Sequence, residues 1–358
     1  MKRKSSLQLK VYKVCKVHKA VGILAIGYSL LAASCHNNGD KGNVSNVDTV
    51  KTVTETTVNV PAFSADNAYA YTKTQVDFGP RIPGTKAHTE CLNFIVAELE
   101  KDSLHPTIQK TKARTFDGKY YEIDNVIAQS QPKNNVRIML CTHWDTRPWA
   151  DADTFESTKP FDGACDGASG VGMLLEVAHH LKDAGIGVDL VFFDLEDYGQ
   201  QNGVNGEDTK YPPQDDTWCL GSQYWAKNLP ADYITPRYGI LLDMVGCKNA
   251  LFPTEGTSMQ CAPQIVNKVW GIAAQLGYGN YFTRDRTTPT IDDHLYVNKF
   301  ANIPTIDIVA YDTKTHDYPY FHHKHSDNMS VIDKNTMSVV GKTLMNIIYR
   351  EQNNAVTP

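Results

Sequence analysis

Carboxylates and imidazoles recur in this chain where apolar runs end. Leu190-Val191-Phe192-Phe193 leads directly into Asp194-Leu195-Glu196-Asp197, and the run from Val136 to Cys141 ends in Thr142-His143-Trp144-Asp145. Tyr238 to Leu242 ends in Asp243, and Ile303 to Val309 leads into a loop holding His322-His323-Lys324-His325-Ser326-Asp327. A glycine-rich loop, Asp162-Gly163-Ala164-Cys165-Asp166-Gly167-Ala168-Ser169-Gly170, adds another acid. Neighbouring carboxylates repel, and burying them is costly unless a cation or a shared proton compensates. One acidic strand end carries no information, but several along one sheet edge point to a metal site. Carboxylate and imidazole donors without a CxxC thiolate pair suit zinc in a catalytic, partly open site. Each residue also has a plainer role. Asp166 could cap a helix, His143 could be a core histidine bonded to backbone, and the histidine loop could be solvated. The glycine-rich loop lacks the following Lys-Ser/Thr of a phosphate-binding P-loop. His179-His180 fall inside a helix and read as structural.

The elements that must position these groups alternate. Four apolar residues, Leu190 to Phe193, are too few for a helix and read as a buried parallel strand. Strands are expected at Thr107 to Phe116 on an edge, Tyr120 to Ala128, Val136 to Cys141, Tyr238 to Met244 and Ile303 to Val309. Helices are expected after a Ser64 or Asp66 cap, along the face Cys91, Phe94, Ile95, Ala97 and Leu99, and over Ser169 to Ala184. Further helices fall near Ser222 to Lys227, Ala262 to Leu276 and Asp333 to Tyr349. The predicted fold is α/β, a single domain with a mixed, mostly parallel central sheet covered by helices on both faces. Open sheets of this kind bind ligands at the carboxyl ends of their strands, where the acids lie. Extended chain turns neighbours to opposite sides, so a local kink must bring Glu196 and Asp197 to one site. Asp194 then remains a structural residue at the strand end.

The chain has 358 residues, 41% of them hydrophobic, and a formal charge of -5, which argues against nucleic acid as a partner. Residues 1–34 hold seven Lys/Arg and no acid, leaving 28 basic against 40 acidic residues, a charge of -12, for the remainder. A basic n-region followed by the apolar run Val21 to Ala33 is the pattern of an export signal. Leu31-Ala32-Ala33-Ser34-Cys35 resembles a bacterial lipobox, with Ala32 where leucine is usual, and a plain secretory signal is the alternative. The expected organisation is a signal at 1–34, a flexible tether at 35–60, and a catalytic domain at 61–351. The protein is expected in the periplasm or at the outer membrane, touching the membrane only through a lipid at Cys35. Six cysteines remain beyond the signal and Cys35; an exported chain permits disulfides, but no spacing requires one.

His143-x-Asp145, Asp166-Gly167, Glu196-Asp197, Asp243 and His323-x-x-x-Asp327 together resemble the zinc aminopeptidase and glutaminyl cyclase superfamily. Phe78-Gly79-Pro80-Arg81-Ile82-Pro83-Gly84, Asn125-Val126-Ile127-Ala128, Gly221-Ser222 and Asp292-Asp293-His294 extend the likeness. Within it, His143 to Asp151 and Thr217 to Ser222 look like bacterial, animal-type glutaminyl cyclases. The resemblance implies one zinc per chain on Asp166, Asp197 and His323, with Glu196 as acid/base and Asp243 and Asp292 as its acidic relay. It implies N-terminal Gln peptides and proteins as substrates; the enzyme is expected to be a monomer. Two positions depart from the family: Asp307 stands where a histidine lines the site, and His322 where a tryptophan precedes the ligand histidine. Trp149, Trp218 or Tyr320 is expected to supply the aromatic wall, unless each is a core residue. The rival is a di-zinc aminopeptidase, with His143 and Asp243 at the second metal; a lipid-anchored binding protein with a degenerate site is a rival from another class.

Overall fold

Alternate residues of the buried strands enter two separate cores, the pattern of a sheet covered on both faces. Ile138 and Leu140, Val188, Leu190 and Phe192, and Ile240 and Leu242 pack into one apolar cluster. Met139 and Cys141, Val191 and Phe193, and Leu241 pack into the other. The computed structural model describes residues 58–201 and 210–354. The expected export segment, Cys35 and most of the tether lie outside the described residues.

The strands in chain order are β1 (Thr107–Arg114), β2 (Tyr120–Ser130), β3 (Arg137–His143), β4 (Gly187–Phe193), β5 (Gly239–Asp243), β6 (Phe252–Thr254), β7 (Phe282–Arg286) and β8 (Thr305–Val309). Six of them form the central sheet in the order β1-β2-β4-β3-β5-β8. β1 and β2, and β2 and β4, are antiparallel; β3 with β4, β3 with β5, and β5 with β8 are parallel. The chain therefore moves outward from β3 to β4, then returns past β3 to β5. That reversal puts the ends of β3, β4 and β5 around one crevice, the usual ligand position in such sheets.

The helices are α1 (Ala65–Asp77), α2 (Lys86–Lys101), α3 (Ala168–Ala178), α4 (Leu220–Lys227), α5 (Gly256–Cys261), α6 (Pro263–Gln275), α7 (Asp293–Tyr296) and α8 (Lys334–Asn354). Ser64 caps α1 as expected, its hydroxyl accepting from the Asn67 N–H. α3 is shorter than the expected Ser169 to Ala184: it stops at Ala178, and a separate 3-10 turn covers Leu181–Asp183. The parallel pair β6–β7 is a second sheet that no periodicity announced. Cys91, Cys141, Cys165, Cys219 and Cys247 are buried free thiols, so the expected scope for disulfides goes unused at these five. No helix among the described residues is long and apolar enough to cross a membrane.

Candidate active site

β4 stops at Phe193, and the required kink follows at once. Leu195 takes a left-handed conformation, φ 53°. Its N–H donates to Asp194 Oδ1 at 2.8 Å, and the next two N–H groups, of Glu196 and Asp197, donate to the two oxygens of Asp145 at 3.0 and 3.1 Å. Asp145 lies just past β3, so the end of one strand shapes the end of its neighbour. Asp194 is structural: it also accepts from the Asp124 N–H at 2.8 Å and pairs with His88 at 2.9 Å. With the chain turned at Leu195, Glu196 and Asp197 both line one cleft.

That cleft has a volume of about 620 Å³ and collects Asp166, Glu196, Asp197, Asp243, Asp292, His323, Trp218 and Tyr320. It thus holds all but one of the residues given a role in the one-zinc reading of the sequence. The exception is Trp149, whose place in the aromatic wall must be corrected. Its ring sits in a separate pocket of about 240 Å³ with Phe116, Tyr121, Tyr198 and Tyr211, packed edge-on to Tyr198 at 5.2 Å. Aromatic neighbours on that side claim the indole, which no periodicity in the loop foretold. The wall also includes Tyr318, which the sequence reading missed, and His322, the position where the family has a tryptophan. The His322 ring stands 4.4 Å from Tyr318 and 3.7 Å from His323, so it fills the place of the family's tryptophan as a planar group.

Asp166 is presented by a loop tied down from two directions. The buried Arg81 guanidinium donates to the carbonyl of Gly163 at 2.7 Å, while Asp327 accepts from the N–H groups of Cys165 and Asp166 at 2.7 and 3.1 Å. Gly167 must be glycine: its φ is 82°, and a Cβ would meet the Asp145 carbonyl at 2.9 Å. His323 Nε2 lies 3.0 Å from Asp197 Oδ1 and 3.7 Å from Asp166 Oδ2. Asp166 Oδ2 is buried without a hydrogen-bond partner, and Asp197 Oδ1 has only its ion pair with His323. An orphaned buried carboxylate oxygen costs about 1–3 kcal/mol or more, and a cation among Asp166, Asp197 and His323 removes that cost. The three side chains therefore fit a zinc ion. Two three-residue groups around Asp166 bring their ligand atoms within 4.8 Å of one another, one with His322 and His323 and a second with His143 and Asp243; in the second, His143 Nε2 is 3.0 Å from Asp166 Oδ1 and 3.5 Å from Asp243 Oδ1.

Charge follows the geometry. Burial alone would lower His323, but the Asp197 and Asp151 charges carry it to about 9. His322 is pushed well below the usual histidine range by burial and by its neighbour His323, so it is neutral. Burial, with Asp197, Asp292 and Asp293 nearby, lifts Glu196 well above the ordinary glutamate range, although His143 opposes. Asp292 is raised by burial and by Asp243, and Asp307 by burial and by Asp292. Glu196, Cys219 and Asp292 converge within 4.8 Å, and the Cys219 thiol donates to Glu196 Oε1 at 3.1 Å. Behind them His294 pairs with Glu255 at 3.0 Å and stands 3.9 Å from Asp307. The resemblance alone places Asp307 at the site and His294 within a family motif; Cys219 and Glu255 were not legible as site residues, because buried hydrogen-bonded groups look like any other polar residue in a sequence.

A six-stranded mixed sheet with clustered acids and histidines at its strand ends defines a metalloenzyme of the zinc-hydrolase and glutaminyl cyclase class. Residues 125–348 match Peptidase family M28, and the chain belongs to that zinc-dependent family. Among solved structures, it is 45% identical to Bacteroides thetaiotaomicron glutaminyl cyclase bound to N-acetylhistamine, with TM-score 0.77, over 81% of this chain and 99% of that one. A Zn-dependent exopeptidase from Parabacteroides distasonis is 44% identical with TM-score 0.77, over 81% of this chain and 99% of its own. A leucine aminopeptidase precursor from Bacteroides thetaiotaomicron is 44% identical with TM-score 0.76, over 82% and 99% of the two chains. No curated protein matches the chain.

Proposed function

We propose that the chain is a glutaminyl-peptide cyclotransferase, converting N-terminal glutamine of peptides and proteins to pyroglutamate with release of ammonia. What supports this reading most is the buried run of proton-holding carboxyls, Asp292 and Asp307, behind Glu196. Cyclisation needs a group that takes a proton and then returns it. The α-amine of the substrate attacks the carbon of its own side-chain amide, a C–N bond closes the five-membered lactam, and the amide nitrogen leaves as ammonia. Glu196 takes the proton from the attacking amine and delivers it to the departing nitrogen. Its raised pKa brings the two halves of that task close in energy. Asp243 and Asp292 are its relay. Asp166, Asp197 and His323 would hold one zinc, which when bound supplies Lewis acidity toward the amide carbonyl. Trp218 and Tyr320, with Tyr318, form the wall against which the substrate lies. The enzyme works as a monomer, exported to the periplasm or outer membrane and held by a lipid at Cys35.

The second reading has its own observation. His143 and Asp243 stand with Asp166 as a three-residue group able to hold another ion, as a di-zinc aminopeptidase would require. Product analysis with metal counting separates the two. One zinc with ammonia release supports the cyclase; two zincs with a freed N-terminal amino acid support the peptidase.

A further inference from the structure

Arg147 is a fully buried guanidinium beside the cleft and belongs to none of the groups assigned above. Its side chain makes two kinds of contact. It forms a two-point pair with Asp151, Nε donating to Oδ1 at 2.9 Å and the second nitrogen reaching Oδ2. It also donates to the carbonyls of Asp197 and Gly199 at 3.1 and 3.0 Å, while its backbone N–H donates to Asp197 Oδ2 at 3.0 Å. Asp197 is therefore held at both its main chain and its carboxylate, leaving only Oδ1 to face His323.

Asp151 reaches the other side. Its Oδ1 lies 3.5 Å from Nδ1 of His323, a buried ring nitrogen with no hydrogen-bond partner. A histidine that binds metal through Nε2 commonly donates its Nδ1–H to a carboxylate, which sets the ring's orientation and tautomer. Planar stacking locks the arrangement. The Arg147 guanidinium carbon sits 5.0 Å from the Trp149 ring and 4.8 Å from the Trp218 ring. Trp218 in turn lies parallel to His323, with centroids 6.1 Å apart and planes 9° apart. Trp149 gains a reason here for its buried place outside the cleft: it backs the guanidinium.

We infer that Arg147 and Asp151 form a positioning unit for the zinc site, with Arg147 fixing Asp197 and Asp151 fixing His323. One buried ion pair thus couples two ligands carried on separate loops, so the two side chains are set before a metal arrives. The unit is not catalytic, since neither residue lines the cleft. The inference rests on the reading of Asp197 and His323 as ligands.

The test uses the full-length protein and zinc itself, with affinity measured by competition against a chelator. Asp151→Asn keeps the shape of the side chain and removes its charge. It should weaken zinc about 10–100-fold and shift the visible absorption bands of the cobalt(II)-substituted protein; the zinc-stripped variant also melts lower, because the buried Arg147 loses its charged partner, so affinity is read below that melting temperature. Arg147→Lys keeps the charge but loses the fork and the stacking, and should weaken zinc as well. Wild-type zinc affinity in both variants would overturn the inference, as would a fall in stripped-protein melting temperature with affinity unchanged. If Asp151→Asn does not fold, Arg147→Lys decides the matter alone. His323→Ala separates the two levels: zinc retained there defeats the ligand reading itself, whereas zinc lost there and unchanged in Asp151→Asn defeats only the positioning unit.

Discussion

Glu196 and Asp197 are sequence neighbours with opposite tasks, and their surroundings make the division. Asp197 faces His323 at 3.0 Å and accepts from the Arg147 N–H. Glu196 faces Cys219 and Asp292 instead, among acids that keep its proton on. A carboxyl in that setting can act as base and then acid, which contributes roughly 10²–10⁴ in rate. Glu196→Gln is nearly the same size and keeps a hydrogen-bonding group beside the Cys219 thiol. Turnover should fall by about that factor, with zinc content and melting temperature unchanged; wild-type turnover in the variant would remove Glu196 from the mechanism. Because the base must be ionised, kcat/KM in the wild type should rise with pH along an acid limb set above the ordinary glutamate range. Strand-end chemistry made the metal site legible, while the separation of roles came only from the family resemblance. The cysteine beside Glu196 and the Arg147–Asp151 pair were not legible, since both act through contacts between residues far apart in the chain.

At the level of elements, the site depends on how β3 and β4 end. Apolar runs such as Leu190 to Phe193 announced the strands, and the clash between period-two geometry and adjacent working acids announced the kink. The sequence did not say that Leu195 would carry the left-handed turn, or that Asp145 from the neighbouring strand would pin it. Such pinning is a tertiary contact, invisible to local pattern, and so is the packing that sends Trp149 to its aromatic pocket. Asp145→Ala strips the acceptors from two buried N–H groups, each costing about 1–3 kcal/mol when left unpaired. The variant should melt lower than wild type and lose turnover, as Glu196 drifts from the cleft. A crystal structure of it with the Leu195 turn intact would show that the backbone holds without Asp145. α3 illustrates the opposite limit: its apolar face continues past Ala178, so hydrophobic spacing alone overestimated the helix.

The molecule gathers the buried acids whose pKa values rise most around its candidate site, and this makes its stability depend on pH. Burial lifts Asp293 to about 7, and burial with Asp166 lifts Asp327 to about 8. Glu196, Asp292 and Asp307 move in the same direction. A raised carboxyl holds its proton in the folded state but loses it near 4 when unfolded, so each such group progressively destabilises the fold above that pH. His323, raised to about 9, contributes stability that is present below the unfolded histidine range and lost as pH climbs toward 9. Asp166 and Asp151, held low by His143 and by His323 and Arg147 against the cost of burial, contribute stability that is lost only in strong acid. The melting temperature of chelator-treated protein should therefore fall between pH 5 and pH 8, and zinc should flatten that slope; a rising curve over the same window would contradict the charge assignment. Mass spectrometry of a peptide beginning with glutamine, incubated with the zinc-loaded enzyme, reads the reaction itself. The product should be lighter by one ammonia, with the peptide chain intact. A product shortened by its first residue, with free glutamine in solution, would contradict cyclisation.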